Sequence, residues 1–275
     1  MFGQNEIVGK RAFPDDNKLL ITSIFVTLQG EGPYSGLPAV FVRLAKCNLA
    51  CSFCDTYFDS GEWLAFDELD KRIDDELWDS SLDKSRYVLV VTGGEPMLQK
   101  ALGPWLQTQF EGGNKWRNVQ IETNGTAFQP IHDGVTVVVS PKCSEKNGVA
   151  KKYLNPRPEM MMRADVLKFV MNADESSPYS TVPTWALDWR KETGGEIYVS
   201  PMNYYSREPQ KAKIARNANE TTIEQRSQVE EVISFWEPGL LDLVLNEKSH
   251  RHAASYAINN DLRFQVQAHL YAGVA

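Results

Sequence analysis

Tyr87-Val88-Leu89-Val90-Val91 runs directly into Thr92-Gly93-Gly94-Glu95-Pro96. The first five residues form a continuous apolar run rich in β-branched side chains, as in a strand buried on both faces. The glycine pair and the proline end it in a turn, and residues 97–110 resume with helical periodicity. A doubly buried strand, a tight turn and a helix make half of a βαβ unit, which belongs to a parallel sheet.

The same alternation extends both ways along the chain. Residues 19–28, 39–44, 119–122, 135–140, 166–170 and 197–200 read as further strands. Residues 66–78, 184–191, 222–236 and about 248–258 carry helical periodicity. The expected fold class is α/β, an open sheet or a barrel of mostly parallel strands. In such folds chemistry gathers at the C-terminal strand ends. The polar motifs fall there: Thr92 to Pro96, Thr123-Asn124-Gly125, Ser140-Pro141-Lys142 and Ser200-Pro201-Met202-Asn203. No repeat or linker interrupts the pattern, so one domain spans residues 1–275, with insertions expected near 60–85 and 204–220. The second of these is polar, with several basic residues, and reads as a long surface loop.

A chain of 275 residues, 42% hydrophobic, can bury a substantial core. The net charge of −7 argues against wholesale binding of nucleic acid phosphates. No apolar run reaches the roughly 18 residues of a membrane span. Residues 1–17 are polar and contain no apolar signal core, so a cytoplasmic location is expected.

Three of the four cysteines, Cys47, Cys51 and Cys54, lie within eight residues, spaced C-x₃-C-x₂-C. That spacing suits a metal or cluster loop better than a disulfide framework. Three thiolates can hold three corners of a four-iron cluster and leave one iron open, which makes a reactive site rather than an electron carrier. Structural zinc is the competing reading; it normally wants four Cys or His ligands, and none of His132, His250, His252 and His269 lies close in sequence. Cys143 reads as a small buried hydrophobe or an ordinary thiol. On spacing alone, cluster and zinc both stand. Gly93 and Gly94 allow close backbone approach at a strand end and are expected to leave amides and carbonyls for a charged amino-acid moiety.

C-x₃-C-x₂-C followed by Gly-Gly-Glu-Pro resembles the radical S-adenosylmethionine superfamily. Thr27-Leu28-Gln29-Gly30-Glu31-Gly32, then Gly36 to Leu44, then Cys54-Asp55-Thr56 are similar to the 7-carboxy-7-deazaguanine synthase family, as are Glu122-Thr123-Asn124-Gly125, Ser140-Pro141-Lys142 and Gln265-Val266-Gln267-Ala268-His269.

The resemblance implies a partial (β/α)₆ barrel and a carbon–nitrogen lyase. That lyase contracts 6-carboxy-5,6,7,8-tetrahydropterin to 7-carboxy-7-deazaguanine with loss of ammonia, in the deazapurine and queuosine pathway. It also implies one 4Fe-4S cluster on Cys47, Cys51 and Cys54, with S-adenosylmethionine on its open iron. The S-adenosylmethionine contacts it implies are Phe53 and Asp55, then Gly93, Gly94 and Glu95, then Ser140 and Lys142, and last Ser200, Pro201, Met202 and Asn203. The pterin is expected against Leu28, Gln29, Gly30, Thr92 and His269. Its carboxylate is expected on Arg43, whose planar guanidinium gives a bidentate fit. Thr56 matches a magnesium ligand, a weak site alone that leans on water and substrate oxygens. A homodimer and an external electron donor of flavodoxin or ferredoxin type are further family expectations. No main catalytic base is required of a side chain. A glycyl-radical-enzyme activase shares the cysteines and the Gly-Gly-Glu-Pro run, but does not account for Leu28 to Gly32 or Asp55-Thr56.

Overall fold

The structure is a computed structural model that describes residues 7, 13, 17–78, 83–111, 115–204, 210–214, 232–237 and 242–272. In chain order it comprises β1 (Lys18–Leu28), β2 (Pro38–Leu44), β3 (Glu62–Ala65), α1 (Phe66–Trp78), β4 (Val88–Gly93), α2 (Leu102–Thr108), β5 (Asn118–Thr123) and β6 (Val135–Val139). A hairpin follows, β7 (Cys143–Lys146) and β8 (Val149–Tyr153), then α3 (Pro158–Arg163), β9 (Val166–Met171), α4 (Thr184–Thr193) and β10 (Glu196–Pro201). The last elements are β11 (Gln210–Ile214), β12 (Val232–Glu237), α5 (Leu243–Asn260), β13 (Arg263–Phe264) and α6 (Ala268–Ala272).

Nine strands form one sheet in the order β13-β10-β9-β6-β5-β4-β2-β1-β3. From β2 to β10 the strands are parallel and their spatial order follows the chain. A doubly wound sheet would reverse direction at a switch point; this one winds a single way, as a barrel does. It does not close, because β3 and β13 are its two edges. The expected partial barrel is therefore an open one, with β1 and β3 added antiparallel at one side.

Side chains alternate across each strand. Val40, Val42 and Leu44 share one face with Leu89, Val91, Val119, Ile121, Leu167, Phe169 and Val199, and this face packs with the helices in the main core. The in-between positions face the opposite side. There Ala39, Phe41, Val88 and Val90 form a smaller apolar floor, with Phe25, Tyr34 and Leu37 packed against it.

The strands expected from sequence appear within a residue or two. Residues 62–78 are built into the sheet and core: β3 pairs with β1, and Leu69, Ile73 and Leu77 of α1 are buried in the main core. The helix expected over 97–110 shortens to α2 after a single tight turn at Pro96–Leu98. The helix expected over 222–236 is corrected. Residues 222–231 lie outside the described residues, and Val232–Glu237 pairs as a strand with β11. Its run Val-Ile-Ser-Phe-Trp is β-branched and aromatic, so strand preference wins over the helical spacing. Of the expected insertion 204–220, only Tyr204 and residues 210–214 are described. Among the described residues no helix is long and apolar enough to cross a membrane.

Candidate active site

One cleft opens at the C-terminal ends of β2, β4, β5, β6, β9 and β10. Cys47, Cys51 and Cys54 line it, with Phe53, Asp55 and Thr56 of the same loop. Gln29, Arg43 and Thr92 line it too, as do Gly93, Gly94, Ser140 and Lys142. Ser200, Pro201, Asn203 and His269 complete the expected set.

Four expected residues do not line the cleft. Leu28 ends β1 opposite Pro38. Gly30 lies beneath the His269 ring, where a Cβ would stand 2.2 Å from Nδ1, so this glycine seats the C-terminal helix rather than a ligand. The Glu95 carboxylate points into the protein and accepts from Thr123 Oγ1 (2.7 Å), the Asn124 N–H (2.7 Å) and the Met97 N–H (3.0 Å). Burial pushes its pKa up against those three bonds. Met202 packs behind the cleft with Cys143 and Tyr179, where Phe53 leans on it.

The glycine turn works differently from the expectation. The Gly94 N–H donates to Leu44 O and the Glu95 N–H to Lys46 O, both at 2.8 Å, so these amides are used within the fold. Gly93 has φ +120, and a Cβ on Gly94 would fall 1.8 Å from Lys46 O. The pair exists so that the end of β4 can press against the chain entering the cysteine loop. Carbonyl oxygens are what the turn still offers, and an ammonium group needs acceptors.

The cysteine loop is fixed from several sides. The Lys46 N–H donates to Phe58 O (2.6 Å) and the Cys54 N–H to Cys51 O (3.1 Å). The β7–β8 hairpin braces the loop through Glu145 Oε2, which accepts the Ser52 N–H at 2.9 Å, and Tyr179, from the segment after β9, packs edge-on to Phe53. Cys143 sits behind this contact in the apolar cluster rather than on the cleft wall. Burial pushes the Cys47 thiol up to about 12, with Glu95 adding to the effect, and the Cys51 thiol up to about 11 against the pull of Lys142. Cys54 rises further, again mainly through burial. Among the described residues no group of Cys, His, Asp and Glu is arranged to hold a single metal ion; the three thiols share a wall instead of a point.

The floor of the cleft carries charge. Lys168 is buried between Glu122 (2.6 Å) and Glu31 (3.0 Å). Glu122 also accepts from Gln29 Nε2 (3.2 Å) and Gln120 Nε2 (3.0 Å). The two carboxylates hold the Lys168 ammonium well above the usual lysine range despite burial, and Lys168 holds Glu122 below the usual carboxylate range. In the sequence Glu31 and Glu122 stand only as parts of motifs, and Lys168 stands in none. The available signal was a lysine inside the apolar strand Val-Leu-Lys-Phe-Val-Met.

Two further cations have no carboxylate partner among the described residues. Arg43 lies over the Phe25 ring, 4.7 Å from its centroid, and Phe25 stacks on Phe41. Burial lowers its pKa, with Asp55, Cys54 and Glu122 opposing. Lys142 donates to Ser140 O (2.7 Å) and Ser140 Oγ (2.6 Å), and burial lowers its pKa as well.

The C-terminal run closes one side. The Gly32 N–H donates to Gln265 Oε1 at 2.6 Å, Gln267 Nε2 donates to Asp55 at 3.4 Å, and Asn203 Nδ2 bonds Gln267. His269 Nδ1 is buried without a hydrogen-bond partner among the described residues, and burial lowers its pKa, favouring neutral imidazole.

A singly wound parallel sheet places the three thiols on one loop with the glycine turn beside them and two cations facing them, as expected from the resemblance to the radical S-adenosylmethionine superfamily. No protein-family model matches the chain. The 7-carboxy-7-deazaguanine synthase of Rhodospirillum rubrum is 39% identical over 212 residues, spanning 73% of this chain and 82% of that protein. That of Rickettsia prowazekii is 33% identical over 225 residues, 81% of this chain and 87% of that protein. The crystal structure of QueE from Escherichia coli superposes with a TM-score of 0.58 over 90% of this chain and 93% of that one; at 21% identity it supports the fold. The chain belongs to the 7-carboxy-7-deazaguanine synthase family.

Proposed function

We propose that this chain is a radical S-adenosylmethionine enzyme that converts 6-carboxy-5,6,7,8-tetrahydropterin to 7-carboxy-7-deazaguanine with loss of ammonia. The product belongs to the deazapurine and queuosine pathway. The observation that carries the reading is Arg43, a guanidinium with no ion pair among the described residues that faces the same cleft as the three thiols.

The donor set fits a 4Fe-4S cluster with one open iron: Cys47, Cys51 and Cys54 face the cleft, and the remaining cysteine does not. When bound, the cluster and S-adenosylmethionine supply the adenosyl radical that opens the pterin chemistry. The chain's own residues bind and orient. Gly93 and Gly94 offer backbone acceptors to the amino group of S-adenosylmethionine, while Lys142 and Ser140 supply donors. Phe53, Asp55, Ser200, Pro201 and Asn203 complete its surroundings, and Met202 and Glu95 act from behind by holding Phe53 and Asn124.

Arg43 binds the pterin carboxylate in a two-point contact, with Thr92 beside it in register on β4. Thr56 would hold Mg²⁺, which would offset the negative charge of the pterin carboxylate. Gln29 and Glu122 face the pterin ring, with Leu28 and Gly30 shaping the wall behind, and His269 covers it as a neutral imidazole. The C-terminal run excludes water on that side. The enzyme is read as a cytoplasmic homodimer that takes its electron from a flavodoxin- or ferredoxin-type donor.

A glycyl-radical-enzyme activase would need room for a protein substrate. The bond from Gln267 to Asp55 ties the C-terminal run to the cysteine loop at the cleft wall and favours a small molecule. The deciding experiment is anaerobic reconstitution with iron and sulfide, then S-adenosylmethionine, reductant, Mg²⁺ and the pterin. The expected result is the deazaguanine by mass spectrometry. Iron uptake without product would overturn the substrate, and zinc in place of iron would overturn the class.

A further inference from the structure

Asn124 follows β5 and is 8% exposed. The backbone N–H of Thr126 donates to its side chain at 2.9 Å. Only oxygen can accept that N–H, so the atom is Oδ1 and the NH₂ end points away from it. Thr126 Oγ1 donates to the same oxygen at 2.6 Å and accepts from Asn48 Nδ2 at 2.8 Å. The amide's orientation is thus fixed by the fold. Its NH₂ group faces Asn48 Oδ1 at 3.1 Å and Cys47 Sγ at 3.9 Å. The Leu49 N–H donates to the same sulfur at 3.4 Å. Among the described residues no side chain donates a hydrogen bond to the sulfur of Cys51 or Cys54, though the Lys142 ammonium acts on Cys51 through space; the Cys54 thiol itself donates to Thr56 O.

The backbone of Asn124 is held as firmly as its side chain, by the bond from its N–H to buried Glu95. Glu95 in turn caps the turn after the glycine pair. A rigid path therefore runs from that turn through Glu95 and Asn124 to one cysteine of the three.

We propose that Asn124 is a positioning residue that holds the Cys47 sulfur and raises the reduction potential of a cluster bound there. The proposal rests on the cluster reading above. An N–H aimed at a ligand sulfur draws electron density from it, and hydrogen bonds to sulfur are among the main determinants of cluster potential. Because Cys47 alone, among the described residues, receives a side-chain hydrogen bond at its sulfur, the three protein-bound corners are unequal.

The test is a mediated redox titration of the reconstituted full chain, followed by electron paramagnetic resonance. Asn124→Ala removes the donor. Asn124→Asp keeps the size and the bond from the Thr126 N–H but turns an oxygen toward the sulfur. At the wild-type midpoint, both should lower the ratio of reduced to oxidised cluster by about threefold to tenfold, the effect of one ordinary hydrogen bond. Thr126→Ala keeps Asn124 but removes one clamp, and should shift the ratio less in the same direction. Should Asn124→Asp not take up iron, the other two variants decide by the same measure. Wild-type midpoints in Asn124→Ala and Thr126→Ala would overturn the proposal. Failure of the wild-type chain to assemble any cluster would overturn the reading beneath it instead.

Discussion

Lys168 reaches from β9 to place its ammonium 2.6 Å from the Glu122 carboxylate on β5, with Glu31 3.0 Å away on its other side. The three groups sit on the cleft floor, out of reach of screening by bulk water. Removing one partner of such a set leaves the others as uncompensated buried charges, which costs far more than the net worth of the pair. Lys168→Met should therefore lower stability by about 3–5 kcal/mol. Thermal unfolding of the wild-type and variant chains at neutral pH checks this.

The same triad sets a pH dependence. Glu122 titrates below its unfolded range, so its contribution is present above the ordinary carboxylate range and fades as pH falls through the lowered value. Lys168 titrates above its unfolded range, so its contribution is present below the ordinary lysine range and fades only as pH rises through the raised value. Between roughly pH 5 and 10 both are in place. In Lys168→Met the stranded Glu122 carboxylate must take up a proton, so that variant should gain stability from pH 8 to 5 while the wild type does not. Thermal midpoints across that range would show parallel curves if the triad had no such role.

Arg43→Ala should leave stability within about 1 kcal/mol of wild type, since no ion pair is broken. It should lower kcat/KM for the pterin by about 30- to 1000-fold, the loss expected when one side of a buried charged contact is removed. Arg43→Lys should recover only part, lacking the planar fork. Large unfolding in Arg43→Ala with unchanged turnover would mark the residue as structural.

Gly94→Ala would press a methyl group against Lys46 O, where the fitted Cβ stands at 1.8 Å. Backbone must move, and the chain that moves leads straight into Cys47. Iron uptake should fall with stability, measured by metal analysis and thermal unfolding on one sample. Cys51→Ala, by contrast, should abolish iron–sulfur uptake and turnover while the apo chain keeps its unfolding free energy within about 1–2 kcal/mol of wild type.

The cleft thiols are held protonated at neutral pH by burial. The metal-free chain should therefore react slowly with iodoacetamide at pH 8 and faster as pH approaches about 11, where Cys51 ionises. Mass-spectrometric rates at Cys47, Cys51 and Cys54 check this; rates like those of a free cysteine at pH 8 would contradict it.

Much of the scaffold was legible because its signal is local. The run from Tyr87 to Val91 is apolar at every position because both faces of β4 are covered, and its partners repeat the pattern. The helix expected over 222–236 failed where β-branched and aromatic residues outweighed spacing. Arg43 was legible as a polar residue in an apolar strand; Lys168 has the same signature and was missed for want of a motif around it. Read by strand alternation, Arg43, Thr92, Glu122, Lys168 and Ser200 all fall on the face opposite the helices.

Cysteine spacing, strand order and the motif runs are properties of neighbours along the chain, so the sequence by itself determined the fold class, the thiol triplet and the family. Whether a side chain faces the cleft depends on packing between distant segments, and there only the tertiary structure decided. It turned Glu95 inward onto Thr123 and Asn124, used the amides of Gly94 and Glu95 to join two strand ends, and brought Lys168 between Glu31 and Glu122. The physical reason is burial: a charged or polar group removed from water must find its partner, and that partner is chosen by what the fold brings within reach.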